Sequence, residues 1–238
     1  MLFSFFVSFL YSINTLSATV ALSSIQDIPL PQGYERIAVP ANSFGDFLRS
    51  VSLKKDRTGY LYNGQKKYNQ SAQYAVLNIS TGNKDLQQCA DAVMRLRAEY
   101  LKSKNQPICF ADNNRTNYCW SQYQHRGWQG YLEIVFGMCG TLSLEKQLKK
   151  TGWEQLKIGD VVIKGGSPGH AVIIMDIARH KTTGKLIFLL AQSYMPAQDI
   201  HLLINPRETN LSPWYSTPGK YLETPEWSFH TTCLHTWP

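Results

Sequence analysis

Apolar runs separated by short polar turns dominate the stretch from Ile158 to Ser193, which reads IGDVVIKGGSPGHAVIIMDIARHKTTGKLIFLLAQS. Short runs rich in Val, Ile and Leu are typical of β-strands. Together with one run further downstream, they span residues 160–164, 170–178, 186–193 and 200–204. The second run is apolar at nearly every position, which predicts a strand buried on both faces. The short connections predict an antiparallel β-meander.

The residues that precede this meander show helical spacing. We predict helices that begin at Ser43 and that span 84–104, 130–138 and 141–150, with short strands at 34–39, 73–79 and 108–111. Leu86, Cys89 and Val93 fall on one face of the helix predicted at 84–104. We therefore expect the Cys89 thiol to pack in the core as a small apolar group.

The first residues have the pattern of a secretory signal peptide. An apolar run, MLFSFFVSFLYSI, is followed by the small residues Thr19-Val20-Ala21. An uncleaved anchor is the alternative, because no Lys or Arg precedes the apolar run. No later segment is apolar over the length that a membrane span needs. We expect export to the periplasm or the extracellular space, and no integral membrane segment in the mature chain.

The remaining length fits one domain. The predicted organisation is a signal peptide at 1–21 and a single α+β domain at 22–238, in which 22–82 forms a small N-terminal lobe and 83–238 contains the helices and the meander. This domain is long enough to bury a substantial core without metals or cross-links.

The formal net charge is +7, from 24 Lys and Arg against 17 Asp and Glu. The basic residues are scattered along the chain, whereas nucleic-acid-binding proteins usually concentrate them on one face. We therefore expect no nucleic-acid partner. The charge serves either solubility alone or contact with an anionic polymer or peptide of the cell envelope.

Five cysteines are present, without a CxxC pair and without a His at metal-ligand spacing. There is also no nucleotide-binding loop, so we expect neither a metal nor a cofactor. Export permits disulfides, and a bridge between Cys109 and Cys119 across a hairpin is one candidate. Because five is an odd number, at least one thiol stays free or pairs with another chain.

Aromatic and polar residues are interspersed without regular periodicity between positions 112 and 130. Trp120 and Trp128 lie in this segment. The segment forms either a binding surface that uses these two indoles or an irregular loop packed on the body of the domain.

The strings Gly159-Asp160 and Gly169-His170-Ala171 resemble the signature of papain-like peptidases and amidases of the NlpC/P60 and CHAP type. This resemblance implies a papain-like fold in which His170 acts as general base for a Cys thiolate. Gln192, on the next strand, would orient the imidazole, with Ser193 as the alternative. The nucleophile would stand at a helix start ahead of the His, as Cys139 does before Gly140-Thr141. In a permuted relative the Cys would follow the His, and Cys233 has that order.

Longer strings resemble an uncharacterised exported bacterial family, domain of unknown function 4846. They are Gly165 to Val172, Leu190 to Gln198, Ser212-Pro213-Trp214-Tyr215 and Thr224-Pro225-Glu226-Trp227. The family pattern usually holds a small residue at the position of Cys139, which favours a binding role over a thiol mechanism. The polar residues that remain as site candidates are Asp160, His170, Gln192, Ser193 and Gln198.

Three functions follow as hypotheses. The first is a binding or accessory protein of the cell envelope that uses a cleft at His170. The second is a thiol amidase or peptidase acting on peptidoglycan-type amides, with Cys139 as nucleophile and His170 as base. The third is a hydrolase that activates water or the Ser193 hydroxyl through His170.

Overall fold

The structure, a computed structural model, describes residues 22–238. The predicted signal peptide at 1–21 lies outside the described residues and stays a prediction. The helices are α1 (Phe44–Ser50), α2 (Cys89–Ser103), α3 (Trp120–Tyr123), α4 (Gly127–Met138) and α5 (Thr141–Gln147). The strands are β1 (Tyr34–Arg36), β2 (Gln73–Val76), β3 (Cys109–Ala111), β4 (Asn117–Cys119), β5 (Lys149–Lys150), β6 (Val161–Lys164), β7 (His170–His180), β8 (Leu186–Gln192), β9 (His201–Leu203), β10 (Tyr215–Ser216), β11 (Tyr221–Glu223), β12 (Ser228–His230) and β13 (Leu234–Thr236).

A nine-stranded sheet organises the molecule. Its main order is β2-β9-β8-β7-β6-β13-β5, and β1 and β10 pair with the ends of β7 and β8. Strands β6 to β9 are successive antiparallel neighbours. The predicted α+β class and antiparallel meander are therefore confirmed. The small hairpins β3–β4 and β11–β12 lie outside this sheet.

Strand β7 is the centre of the sheet and is covered on both faces. Ala171, Ile173 and Met175 face a core that also contains residues of α2. Val172 and Ile174 face a second core, which includes Leu222 of β11 and Phe229 of β12. Because β7 is covered on both faces, the residues at its centre are apolar without interruption.

A β-bulge between Ile174 and Asp176 turns a carboxylate into the interior of the protein. Asp176 is fully buried and accepts hydrogen bonds from Arg36 Nε and Arg49 Nε, each at 2.7 Å. These ion pairs fasten β1 and α1 to the central strand. Because β1 and β2 also join the main sheet, residues 22–82 share one sheet with the rest, and the predicted division at residue 82 stays a prediction.

Helix boundaries differ from the predicted ones at two places that matter for the site. Helix α2 begins at Cys89, five residues later than predicted, because the Gln88 N–H bonds to Asp91 Oδ2 at 3.0 Å and ends the preceding turn. Helix α5 ends at Gln147, and Lys149–Lys150 form a strand beside β13 instead of a last helical turn.

Cys109 and Cys119 are register partners in the β3–β4 hairpin and form a disulfide bond. The other three thiols, of Cys89, Cys139 and Cys233, are free.

Within residues 22–238, none of the helices has the length and apolar character that crossing a bilayer requires.

Candidate functional site

His170 is the first residue of β7, as the sequence predicts. Its ring is not open to solvent: the residue is only 2 % exposed. The rings of Tyr194, Trp227 and Phe229 cover it, with centroid distances of 4.9, 5.3 and 5.7 Å. The expected cleft therefore does not open on the imidazole itself.

Hydrogen bonds fix the orientation of this imidazole. His170 Nε2 lies 2.8 Å from Gln192 Oε1, and Gln192 Nε2 donates to Glu226 Oε2 at 2.7 Å. A carboxylate only accepts, so Gln192 must turn its amide nitrogen to Glu226 and its oxygen to His170. His170 Nε2 must then carry the proton, which leaves Nδ1 as the unprotonated nitrogen.

Glu226 is held in turn by a buried cation. Lys67 Nζ lies 3.6 Å from Glu226 Oε1, which makes an ion pair but is too long for a hydrogen bond. Burial lowers the pKa of Lys67, and Glu226 opposes that shift. The Tyr194 hydroxyl donates to the Glu226 carbonyl oxygen at 3.3 Å. The base is thus supported by groups from three separate parts of the chain.

Burial lowers the pKa of His170 to about 4, and the hydrogen bond to Gln192 acts in the opposite direction. At neutral pH the imidazole is therefore uncharged, with a free lone pair on Nδ1. A group in this state accepts a proton, which is what a general base requires.

Cys89 is the first residue of α2 and shares a cavity wall with Gly169, the residue before His170. The backbone N–H groups of Ala171, Ala90 and Cys89 lower the pKa of the Cys89 thiol, to a smaller extent than burial raises it. Burial, with Asp91 as the second cause, raises the pKa of the thiol to about 11. In the resting protein the sulfur is a neutral thiol.

A cavity of about 280 Å³ adjoins the sulfur. Its wall includes Cys89, Asp91, Cys139, Gly169 and Met195. Met195 is exposed at its rim, whereas His170 is buried and is not part of the wall. A Cβ at Gly169 would come within 2.4 Å of the Gly166 carbonyl oxygen, so only Gly permits this wall.

Cys139, the predicted nucleophile, lines the same cavity in a different setting. Its N–H closes α4 by bonding to the Val135 carbonyl at 2.8 Å, and α5 starts only at Thr141. Burial, with Asp91 and Asp112, raises the pKa of its thiol to about 12. Within the described residues, the His170 ring has one hydrogen-bond partner, Gln192, so neither Cys139 nor Cys89 bonds to it in the resting structure.

The structure does not bring Asp160 to His170. The register places Lys164 opposite His170, and the Ile174 N–H bonds to the Asp160 carbonyl four residues further along β7. The Asp160 carboxylate accepts the Lys157 N–H at 2.8 Å and shapes the turn before β6. Asp160 is therefore distant from the candidate base, against the expectation from the Gly-Asp motif.

Ser193 and Gln198 lie near the site but in structural positions. The fully buried Ser193 hydroxyl lies 2.9 Å from the Gln87 carbonyl and 2.8 Å from the Gln198 carbonyl. These two acceptors occupy the hydroxyl, which is unfavourable for the predicted Ser193 nucleophile. The Gln198 side chain is buried, and its Nε2 has no partner within the described part of the chain.

Trp120 and Trp128 pack edge to face against each other, with centroids 5.3 Å apart. Lys102 Nζ lies 4.2 Å from the Trp128 ring, and the Trp128 indole donates to Glu99 at 2.9 Å. Neither indole lines the cavity beside Cys89. Their predicted binding role remains a prediction, separate from this site.

Sequence reasoning missed Cys89, Glu226 and Lys67. Asp91, three residues after Gln88, was the available signal for a helix starting at Cys89, because an acidic residue at the third helical position caps the N-terminus of a helix.

Among residues 22–238, no group of His, Cys, Asp or Glu has the arrangement needed to hold a metal ion.

Comparison with known proteins adds one finding. The profile of a family described as domain of unknown function (4846) matches residues 25–127 and 112–236. No curated protein and no solved structure matches the chain.

Proposed function

Since the chain belongs to the family described as domain of unknown function 4846, a description that assigns no activity, we propose a function from the site: a thiol-dependent amide hydrolase. Cys89 is the nucleophile, His170 the general base and Gln192 the residue that orients it. One observation carries the proposal. Cys89, at the N-terminus of α2, lines one cavity with Gly169, the residue before His170, and the unprotonated nitrogen of His170 is Nδ1.

The reaction needs only these groups and water. His170 Nδ1 takes the Cys89 proton while the sulfur attacks the amide carbon, forming a C–S bond. His170 then gives the proton to the leaving nitrogen as the C–N bond breaks, which leaves a thioester and a free amine. Water, deprotonated by His170, attacks the thioester and releases the carboxylic acid and the Cys89 thiol.

The start of α2 supports the charge that develops in this reaction. The first amide groups of a helix have no intrahelical partner and carry partial positive charge. The N–H groups of Ala90 and Cys89 lower the pKa of the Cys89 thiol, against the larger effect of burial. They therefore stabilise negative charge on the thiolate and on a carbonyl oxygen bound beside it.

The resting pair is uncharged in this proposal. The pKa of Cys89 is about 11 and that of His170 about 4, so a preformed thiolate–imidazolium pair is a minor species. Proton transfer accompanies attack on the bound substrate. Exclusion of water by Tyr194 and Trp227 strengthens the electrostatic interactions once the charges form.

We propose that Cys89 takes the nucleophile role that the sequence resemblance to NlpC/P60-type enzymes assigned to Cys139. We therefore propose amides of the peptidoglycan type as substrates and an exported location, with which the Cys109–Cys119 disulfide is compatible.

The test compares thiols within one molecule. The protein is treated with iodoacetamide at neutral pH, and the rates at Cys89, Cys139 and Cys233 are followed by peptide mass spectrometry. We expect Cys89 to react faster than Cys139, and His170→Gln to slow Cys89 while leaving Cys139 unchanged. Equal slow rates at both thiols, insensitive to His170→Gln, would refute the assignment.

The second measurement separates catalysis from binding. Peptidoglycan is incubated with wild-type protein, and intact mass is searched for an adduct on Cys89 that hydroxylamine removes, as it does thioesters. Cys89→Ser must abolish the adduct. If the protein sediments with peptidoglycan but neither forms an adduct nor releases amines, it is a binding protein and the hydrolase proposal fails.

A further inference from the structure

The cavity beside Cys89 differs in charge from the rest of the protein. The chain carries a net charge of +7. Yet among the described residues that line the cavity, Asp85 and Asp91 supply two carboxylates, and no Lys, Arg or His side chain is present. An acidic recess in a basic protein favours a cationic ligand.

Asp85 is already committed to the fold. Its Oδ1 accepts the Ala197 N–H at 2.7 Å and the Gln88 side-chain amide at 3.2 Å. These bonds hold the loop before α2 against the segment that carries Met195. Asp85 therefore contributes charge to the rim but has little capacity for a ligand.

Asp91 has an oxygen to spare. Its Oδ2 closes the start of α2 through the Gln88 N–H at 3.0 Å. Its Oδ1 is buried and has no hydrogen-bond partner within residues 22–238, and the residue is only 6 % exposed. An unpartnered buried carboxyl oxygen is costly, so its retention in a cavity wall indicates a partner that the chain does not supply. Burial raises the pKa of Asp91 well above its usual range, and a cation bound at Oδ1 would lower it again by favouring the charged form.

The same carboxylate is close to the nucleophile. Asp91 contributes to the raised pKa of both Cys89 and Cys139, the two thiols of this wall, after burial in each case. It stands two positions after Cys89, within the first turn of the same helix. Both residues line the same cavity, so a group that contacts Asp91 is bound in the cavity that Cys89 faces.

We propose that the Asp91 carboxylate binds a primary ammonium group of the substrate, adjacent to the amide that Cys89 attacks. This inference rests on the proposed hydrolase function and names its substrate class: amides of residues that carry a free amino group, either the α-amino group or that of a diamino acid side chain. A carboxylate in a water-poor recess pairs strongly with an ammonium ion.

Thiosulfonate reagents of one size and different charge test this inference without a known substrate. Ethylammonium, hydroxyethyl and ethylsulfonate methanethiosulfonates are applied to the full chain, and each rate at Cys89 is divided by the rate with free cysteine. We expect the cationic reagent to be favoured over the neutral one by about tenfold or more, and the anionic reagent to be disfavoured.

Asp91→Asn is the decisive variant, because its amide oxygen still accepts the Gln88 N–H and so preserves the helix start. The cationic preference should disappear in Asp91→Asn and persist in the matched control Asp85→Asn, with equal thermal stability of Asp91→Asn and wild type as the folding check. A preference that survives Asp91→Asn, or no preference in wild type, overturns the inference.

Protection experiments distinguish the two sources of the amino group. Glycinamide carries only an α-ammonium group, Nα-acetyl-lysinamide only a side-chain one, and N-acetylglycinamide neither. The amide that slows the reaction of Cys89 with the neutral reagent shows whether the bound amino group is an α-amino or a side-chain amino group. If neither cationic amide protects Cys89, the proposed substrate class is rejected. Charge preference without His170 dependence would refute the hydrolase alone, whereas His170 dependence without charge preference would refute only the ammonium site.

Discussion

Cys89 and Cys139 are two thiols in one cavity wall, and they differ in what their helices do for them. Cys89 is the first residue of α2, so the N–H groups of the first turn, with that of Ala171 beside His170, lower the pKa of its thiol and oppose the effect of burial. Cys139 follows the end of α4, where its own N–H is used to close that helix. The comparison teaches that the end of the helix at which a thiol lies, more than exposure, separates a candidate nucleophile from a core residue.

Turnover should separate the two thiols most strongly. Cys89→Ser should lower amide hydrolysis by about 10³-fold or more, because the reaction loses its nucleophile, whereas Cys139→Ser should keep it within about tenfold. New amino groups released from peptidoglycan measure the rates. The reverse ranking would return the mechanism to Cys139 and remove Cys89 from the site.

The pH dependence of alkylation is the next largest difference. A thiol whose proton neutral His170 removes during the attack should react with iodoacetamide at a rate that stays level from the pKa of His170, about 4, up to the pH at which free thiolate dominates the reaction, below the Cys89 pKa of about 11. As pH falls through about 4, His170 gains a proton and the rate falls with it.

Cys139 has no such partner, so its rate should rise about tenfold per pH unit, or about a hundredfold between pH 6 and pH 8. His170→Gln should give Cys89 the same slope. A slope of one at Cys89 in the wild-type protein would show that its thiol is uncoupled from the imidazole.

The orientation of the base should have a smaller effect. Glu226→Gln replaces a carboxylate, which only accepts hydrogen bonds, with an amide, which can also donate. The Gln192 side-chain amide can then flip, so its oxygen no longer faces His170 in every molecule. We expect kcat to fall about tenfold with little change in KM. Tyr194→Phe is the matched control, since it removes only a hydroxyl bond to the Glu226 backbone. An altered KM with unchanged kcat would contradict a positioning role.

The unfolding free energy should show the smallest difference between the two thiols. Here the larger effect is expected at Cys139 and not at Cys89. Cys139 belongs to the main hydrophobic core, so Cys139→Ser places an unpaired hydroxyl there and should cost about 1–2 kcal/mol of unfolding free energy. Cys89→Ser should cost less, because helix amides and the Ala171 N–H remain as partners for the new hydroxyl. Urea unfolding measures both, and a larger loss at Cys89 would assign it to the core instead.

The meander was predictable because its apolar runs and short turns are local. The same locality brought His170 and Gln192 together, since each stands at the end of a neighbouring strand. Periodicity locates a helix but not its first residue, and an error of five positions moved Cys89 from the helix terminus to a buried stripe. That shift changed a nucleophile candidate into a core thiol.

Other parts of the site follow from contacts that no local pattern encodes. Glu226 and Lys67 lie in segments without periodic spacing, and they meet the site only through tertiary packing. Asp160 shows the opposite error, because the Gly-Asp motif is local but antiparallel pairing places Asp160 beside Ile174, four residues along β7 from His170. The sequence motifs therefore predicted which residues meet only where the strand register brings those residues to the same end of the sheet.

The cover over His170 comes from Glu226, Trp227 and Phe229, and Glu226 follows Gln192 by 34 positions. While the ribosome is still adding those residues, the nascent protein already holds the thiol and the imidazole but lacks the carboxylate that orients Gln192. In the proposed mechanism, the base is therefore oriented only once this segment has packed over it.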